Sequence, residues 1–287
     1  MNRRAFLKRL ATTVLGVGLA PSALAEVLPA SHGPSSSSSP DLLDRHIRDY
    51  LYKMRHFDEP HPDDIVLPEE ELPLLRACVE KLERLQRTVG HGNFQILSFD
   101  EALRFARRYS QVGEFSRVEV AFLERIFYAD ASRYGFFGEK PVKEITDRIP
   151  PREVVKIPRT GNYLYRGTAQ ERYEQIRKEI GEEVILTSGV RSVIKQFLLF
   201  LRKAADNRGN LSLASRSLAP PGFSYHGVGD FDVGQVGLGA ANFTEKFVST
   251  PVYRKLKELG YLDLRYPEGN FLGVRFEPWH IKMQPHV

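Results

Sequence analysis

Apolar residues recur at helical spacing from about residue 41 to residue 149. Leu72, Leu75, Val79, Leu82 and Leu85 repeat every three or four positions behind Pro68-Glu69-Glu70, a favourable helix start. Ser98-Phe99-Asp100-Glu101 reads as a capping box ahead of Leu103, Phe105 and Ala106. A third apolar series runs through Val118, Phe122, Leu123, Ile126 and Phe127. The spacing predicts an all-helical region over 41–149. Pro150-Pro151 then punctuates the chain and marks a domain boundary.

Beyond that boundary the pattern changes. Thr168-Ala169-Gln170-Glu171 predicts a capped helix running to Gly181, and Val184 to Leu186 a short buried strand. Arg191 to Ala205 returns to helix, with Val193, Phe197, Leu198 and Leu201 on one face. Asn207 to Gly229, rich in Ser, Pro and Gly, reads as a long loop. A strand over Asp230 to Val233 follows, then a helix from Thr250 to Leu259 that stops at Gly260. Tyr261 to Tyr266 and Leu272 to Phe276 read as closely spaced strands. This order predicts an α+β fold: a small antiparallel sheet with helices on one side, preceded by the helical N-terminal region. Residues 150–287 form the expected second domain, and there is no internal repeat.

The N-terminus carries a different signal. Arg3-Arg4-Ala5-Phe6-Leu7-Lys8 precedes a mild apolar stretch from Leu10 to Ala20 and then Ala23-Leu24-Ala25. These are the three parts of an export signal, and the paired arginines resemble the twin-arginine type. That resemblance implies passage through the twin-arginine export machinery, cleavage after Ala25 and a periplasmic location. Residues 26–40, with Ser35 to Ser39 unbroken, read as a flexible tether.

Charge changes the picture little. The 287 residues carry 41 Lys+Arg against 36 Asp+Glu, a formal +5. Arg3, Arg4, Lys8 and Arg9 of the signal supply all but one of the excess charges. The mature chain is nearly neutral, which argues against a nucleic-acid partner. No apolar run approaches the roughly 18 residues of a stable membrane span. The single cysteine, Cys78, excludes an intrachain disulfide and a multi-cysteine metal site.

Candidate chemistry gathers in three segments. His226 lies in Ser224-Tyr225-His226-Gly227-Val228-Gly229, just ahead of Asp230 and Asp232. The two acids are two residues apart and share one face of the expected strand. His280 closes Glu277-Pro278-Trp279-His280, where Pro278 breaks the strand and turns Glu277 and His280 into one pocket, walled by Trp279. Leu186-Thr187-Ser188-Gly189-Val190-Arg191-Ser192 places Arg191 at a strand-to-helix junction. The remaining histidines, His32, His46, His56, His61, His91 and His286, stand in no comparable setting. A mononuclear zinc site unites the pieces: His and carboxylate ligands, a glutamate as base and then acid, and a cation where the carbonyl oxygen gathers charge. A serine hydrolase is disfavoured, because no Gly-x-Ser-x-Gly elbow is present.

Together these segments resemble the zinc D,D-carboxypeptidase and endopeptidase family that trims peptidoglycan, including the vancomycin-resistance carboxypeptidases. Ser188-Gly189-Val190-Arg191-Ser192 with Gln196, then Ser224, His226 and Gly229, then Glu277, Trp279 and His280 fall in the family's order. The resemblance covers about residues 150–287. It implies one zinc per chain held by His226, Asp232 and His280, with Glu277 as acid-base residue and Arg191 at the oxyanion. Gln196 and Ser224 would touch substrate, a peptidoglycan stem peptide, and the expected activity is removal of a terminal D-alanine. The family's aspartate falls seven residues after the first histidine, where this chain has Val233. Asp232 is preferred here and Asp230 is the reserve. An endopeptidase of the same family, or a non-catalytic wall-binding protein on the same fold, are the competing expectations.

Overall fold

A computed structural model describes residues 40–284. The expected signal, all but the last residue of the tether, and residues 285–287 lie outside the described residues. Chain contacts separate Met1–Leu43 from Asp44–Val287, and the fold and the candidate site lie in the second unit.

The helical region contains α1 (Pro40–Arg55), α2 (Leu72–Val89), the single-turn α3 (His91–Phe94), α4 (Phe99–Arg108) and α5 (Arg117–Tyr128). The capping box at α4 forms as its sequence predicts: Glu101 N–H donates to Ser98 Oγ, while Ser98 N–H donates back to the Glu101 carboxylate. Ser116 and Glu119 repeat the device at α5. Leu75, Val79, Leu82 and Leu85 of α2 are buried together with Cys78, whose thiol burial pushes up to about 12. That cysteine is a core residue without nucleophilic character.

The second half begins with an unexpected hairpin, β1 (Val154–Lys156) against β2 (Tyr163–Tyr165). Then come α6 (Thr168–Ile180), β3 (Val184–Ser188), α7 (Val193–Asp206), α8 (Leu211–Ser217), β4 (Phe231–Gln235), α9 (Pro251–Glu258) and β5 (His280–Ile281). Strands β3, β4 and β5 form one antiparallel sheet with β4 in the middle. The architecture is α+β. Tyr173, Ile176 and Ile180 of α6 pack with Val184, Leu186, Phe231, Val233 and Ile281 in one apolar cluster.

Three expectations need correction. Thr168 is the first residue of α6 and not its cap; Gly167, at φ 76°, stands in that position without a side-chain cap. The segment 207–229 is not all loop, because Asn210 caps α8 by accepting from Leu213 N–H, and every residue of that short helix is buried. The strands expected over 261–266 and 272–276 do not form. Only an isolated bridge joins Leu264 to Ile281, and the third strand is β5 beyond Pro278. Beyond residue 150 the chain also returns to the helical region. Phe197, Phe200 and Leu201 of α7 pack with α2, α4 and α5 in the first apolar cluster, so the chain re-enters the helical core after β3.

Candidate active site

The sheet aligns the chemistry. On β4, Asp232 pairs across to His280 of β5 on one side and to Ser188 of β3 on the other. The β3–β4 register is regular to Leu186–Val233 and then shifts, so that Ser188 stands opposite Asp232 where Thr187 would otherwise fall. A bulge of this kind re-aims side chains at the end of a strand. Phe231 and Ile281 meanwhile pair in the apolar cluster. Alternation therefore gives this sheet one oily face and one that carries ionisable groups.

His226 reaches the same point from a 3₁₀ turn at Tyr225–Gly227. Its Nδ1 donates to the carbonyl oxygen of Gly189 at 2.7 Å, which leaves Nε2 directed at Asp232 Oδ1, 3.2 Å away. Gly189 is required there, since a Cβ on it would lie 2.0 Å from the Tyr163 carbonyl oxygen of the hairpin. His280 presents Nδ1 to Asp232 Oδ1 and to Glu277 Oε2, each at 3.3 Å, and Nε2 to Asp230 Oδ2 at 2.9 Å. The ligand-type atoms of His226, Asp232 and His280 all lie within 4.8 Å of one another, and all three residues are buried.

The two aspartates have different partners. Asp230 receives Arg265 Nε at 2.8 Å and Nη2 at 3.0 Å, together with the Met283 N–H at 2.8 Å. Burial would raise its carboxyl, but His280 and Arg265 outweigh that and hold it far below the usual range. Asp232 receives Arg191 Nη2 at 2.6 Å on Oδ2 alone. Burial opposes its ionisation too, yet His226 and Arg191 hold it at about 2. Burial also pushes His226 down, with Arg191 adding to the effect. His280 goes the other way. Burial would lower it, but Asp230, Glu277 and Asp232 together raise it to about 10.

One feature tests whether a cation fits. His226 Nε2 and Asp232 Oδ1 are buried polar atoms with no hydrogen-bond partner. Leaving such atoms bare costs about 1–3 kcal/mol each. Both belong to one cluster of ligand-type atoms with His280, whose Nδ1 is 3.3 Å from that oxygen, and the other nitrogen of each ring is already held by an acceptor. Metal-binding imidazoles are held in this way. Two imidazoles and one carboxylate are a donor set suited to zinc.

The other expected residues line the same cleft. Arg191 sits three residues after Ser188, whose Oγ accepts from its Nε at 2.8 Å. Glu277, Ser224 and Tyr266 line a narrow chamber of about 30 Å³ beside the two histidines. Gln196 lines it as well, but its amide bridges Gly222 N–H and the Arg191 carbonyl oxygen, so it also braces the cleft wall. Trp279 packs edge-on against Phe243 and lines an adjoining chamber of about 320 Å³. Reasoning from sequence missed Arg265, which lies in a segment read as a strand. The signal was the surplus acid: Asp230 needs a cation if it is buried.

Residues 165–286 match the family model VanY, D-alanyl-D-alanine carboxypeptidase, over less than half of the chain. The match supports a hydrolase of the carboxypeptidase type and agrees with the resemblance carried by the three segments. Among solved structures, the chain is similar to the LdcB LD-carboxypeptidase, described with the molecular basis of its peptidoglycan recognition. That likeness has 22% identity, covers 46% of this chain and 68% of the other, and has a TM-score of 0.38. It is also similar to VanYB in complex with D-alanine-D-alanine, at 25% identity over 46% of this chain and 78% of the other, with a TM-score of 0.37. No curated protein matches.

Proposed function

We propose that the protein is an exported zinc D,D-carboxypeptidase that removes the terminal D-alanine of peptidoglycan stem peptides. The observation that carries this reading is the pair of buried, unpartnered atoms, His226 Nε2 and Asp232 Oδ1, beside His280 Nδ1. Those three atoms would hold one zinc, with Asp230 serving as the outer partner of His280 and not as a ligand. The chemistry that zinc would supply there is a lowered water pKa and polarisation of the scissile carbonyl.

The remaining steps belong to the chain's own side chains. Glu277 stands 3.3 Å from His280 on the cleft side and is placed to take a proton from the attacking water. The water oxygen bonds to the carbonyl carbon, the carbon–nitrogen bond breaks, and Glu277 passes the same proton to the departing amine. Arg191, always protonated, offers positive charge to the carbonyl oxygen as it gathers charge; Nε and Nη2 anchor it, and Nη1 lies outside those bonds. The narrow chamber suits a terminal residue as small as alanine, with Ser224 and Gln196 on its walls. The family match over residues 165–286 supports the same chemistry. The resemblance of Arg3-Arg4-Ala5-Phe6-Leu7-Lys8 to a twin-arginine signal supports delivery to the periplasm already folded, a route that would let the protein load metal first.

The test joins metal analysis to product identification. Purified protein is expected to hold about one zinc per chain and to release D-alanine from muropeptides, read by mass spectrometry. Glu277→Gln should keep the zinc and lower turnover by about 10²–10⁴-fold. Unchanged turnover in that variant removes Glu277 as the base, and metal-free active protein overturns the reading as a whole.

A further inference from the structure

The 320 Å³ chamber next to the site is polar in an unusual way. Among the described residues eight buried side-chain atoms lack a hydrogen-bond partner, and five of them belong to residues lining this chamber. Apart from Asp232, these are Gln95 Oε1, Thr187 Oγ1, Ser217 Oγ and Arg275 Nε. Buried polar groups are otherwise paired throughout native proteins, so a cluster of bare ones marks a surface that awaits a polar ligand.

The charge of the chamber is specific. Its cations are Arg191, Lys195 and Arg275, and its acids are Asp232 and Glu277. Arg191 is taken up by Asp232, and Glu277 faces His280. Lys195 and Arg275 make no ion pair among the described residues. Lys195 stands in the first turn of α7, half-buried, and burial together with Arg191 and Arg202 pushes its ammonium down to about 8. The Arg275 guanidinium lies over the rings of Phe57 and Trp279, 4.5 and 4.8 Å from their centres, and one nitrogen donates to the Phe243 carbonyl oxygen. A guanidinium fixed in this way is preorganised for a carboxylate. The far wall comes from the helical half: Gln95 follows α3, its side-chain nitrogen donates to Asn162 Oδ1, and its backbone carbonyl oxygen accepts the Ser192 N–H that opens α7, which leaves Oε1 bare.

We infer that this chamber is a subsite for a residue upstream of the scissile bond that bears a free carboxylate, recognised by Lys195 and Arg275. The inference rests on the carboxypeptidase reading, which puts the terminal residue in the narrow chamber and the rest of the peptide here. It also gives the helical half a task, since Gln95 supplies an acceptor for the peptide backbone from outside the stretch that matches the family.

Two peptides ending in D-alanyl-D-alanine test it, identical except that one carries a side-chain carboxylate upstream and the other the corresponding carboxamide. The full chain loaded with zinc should favour the carboxylate peptide by about 10–100-fold in kcat/KM, as expected for a charged hydrogen bond lost to an unpaired partner. Lys195→Met and Arg275→Met should each shrink that ratio, and Lys195→Arg should retain most of it; circular dichroism checks that each variant folds. Equal cleavage of both peptides by the unmodified protein overturns the subsite and leaves the peptidase reading standing, as does a ratio unchanged in both methionine variants. Cleavage of neither peptide overturns the peptidase reading. Calorimetry then decides the subsite separately, with tighter binding of the carboxylate peptide supporting it and equal affinities overturning it.

Discussion

Two buried ionic clusters in this chain are built from similar residues and finished differently. Asp64 accepts Arg216 Nη1 at 2.6 Å and Nη2 at 2.9 Å, together with Asn210 Nδ2 at 2.7 Å and the His61 N–H at 3.0 Å. Arg216 spends its remaining donors on the carbonyl oxygens of Phe57 and Glu59. Each nitrogen of the guanidinium and each oxygen of the carboxylate has a partner, and the pair ties the segment after α1 to α8. Around β4, by contrast, Arg191 reaches only one oxygen of Asp232, and the atoms between Asp232 and His226 are left bare. Burial costs both clusters alike. A cluster with all its bonds made is architecture; one with bonds missing at a single point is arranged around something that binds there.

The contrast can be broken at either end. His226→Ala should bring zinc content from about one per chain towards zero, with far-UV circular dichroism unchanged, because the fold does not depend on the bare atoms. Full occupancy in that variant removes His226 from the ligand set. Arg216→Met should do the opposite, leaving zinc stoichiometry alone and lowering unfolding free energy by about 3–5 kcal/mol, since it strands a buried carboxylate. Denaturant titration reads this, and a loss under about 1 kcal/mol would show the pair to be as weak as a surface bridge. Arg265→Met lies between the two: it frees Asp230, the outer partner of His280, and should weaken zinc binding by about 10–100-fold in a chelator competition.

The smallest effect is in pH. Burial alone would raise the Asp64 carboxyl, but the hydrogen bonds from Arg216, His61 and Asn210 outweigh it and hold it below the ordinary value. A depressed carboxylate stabilises the fold above its unfolded pKa, about 3.9, and that contribution disappears as pH falls through the folded value. The stability gap between the unmodified protein and Arg216→Met should therefore be flat above about pH 5 and narrow below about pH 4. A gap that widens in acid would show that Asp64 is not the linked group.

Legibility from sequence varied with the range of the interaction. The capping box at Ser98 and the stop at Gly181 rest on contacts within four residues, and both are readable. Helix α8 was hidden because Leu211–Ser217 is serine-rich and buried on all sides, so it shows no amphipathic stripe; the Asn210 cap was its only local mark. The apparent strands near residues 261 and 272 had the residue types of a strand but gain no ladder, only the isolated bridge from Leu264 to Ile281. At the site, the two histidines, the two aspartates, Glu277 and Arg191 could all be named in advance. Lys195, Arg275 and Gln95 could not, because a cavity wall assembled from three distant segments leaves no spacing to read.

The sequence by itself determined the longer amphipathic helices, the breaks between them, and a short roster of residues able to hold a cation and move a proton, because those properties follow from neighbours a few positions away. Only the tertiary structure decided which aspartate faces His226. Asp230 and Asp232 are two apart and flank opposite nitrogens of the same His280 ring, so local pattern ranks them equally. What separates them is non-local: the shifted register that sets Asp232 between Ser188 and His280, and the approach of Arg265 that neutralises Asp230. Hydrogen-bond register across a sheet and the pairing of buried charge are settled by chain segments tens of residues apart, and no window along the sequence contains them.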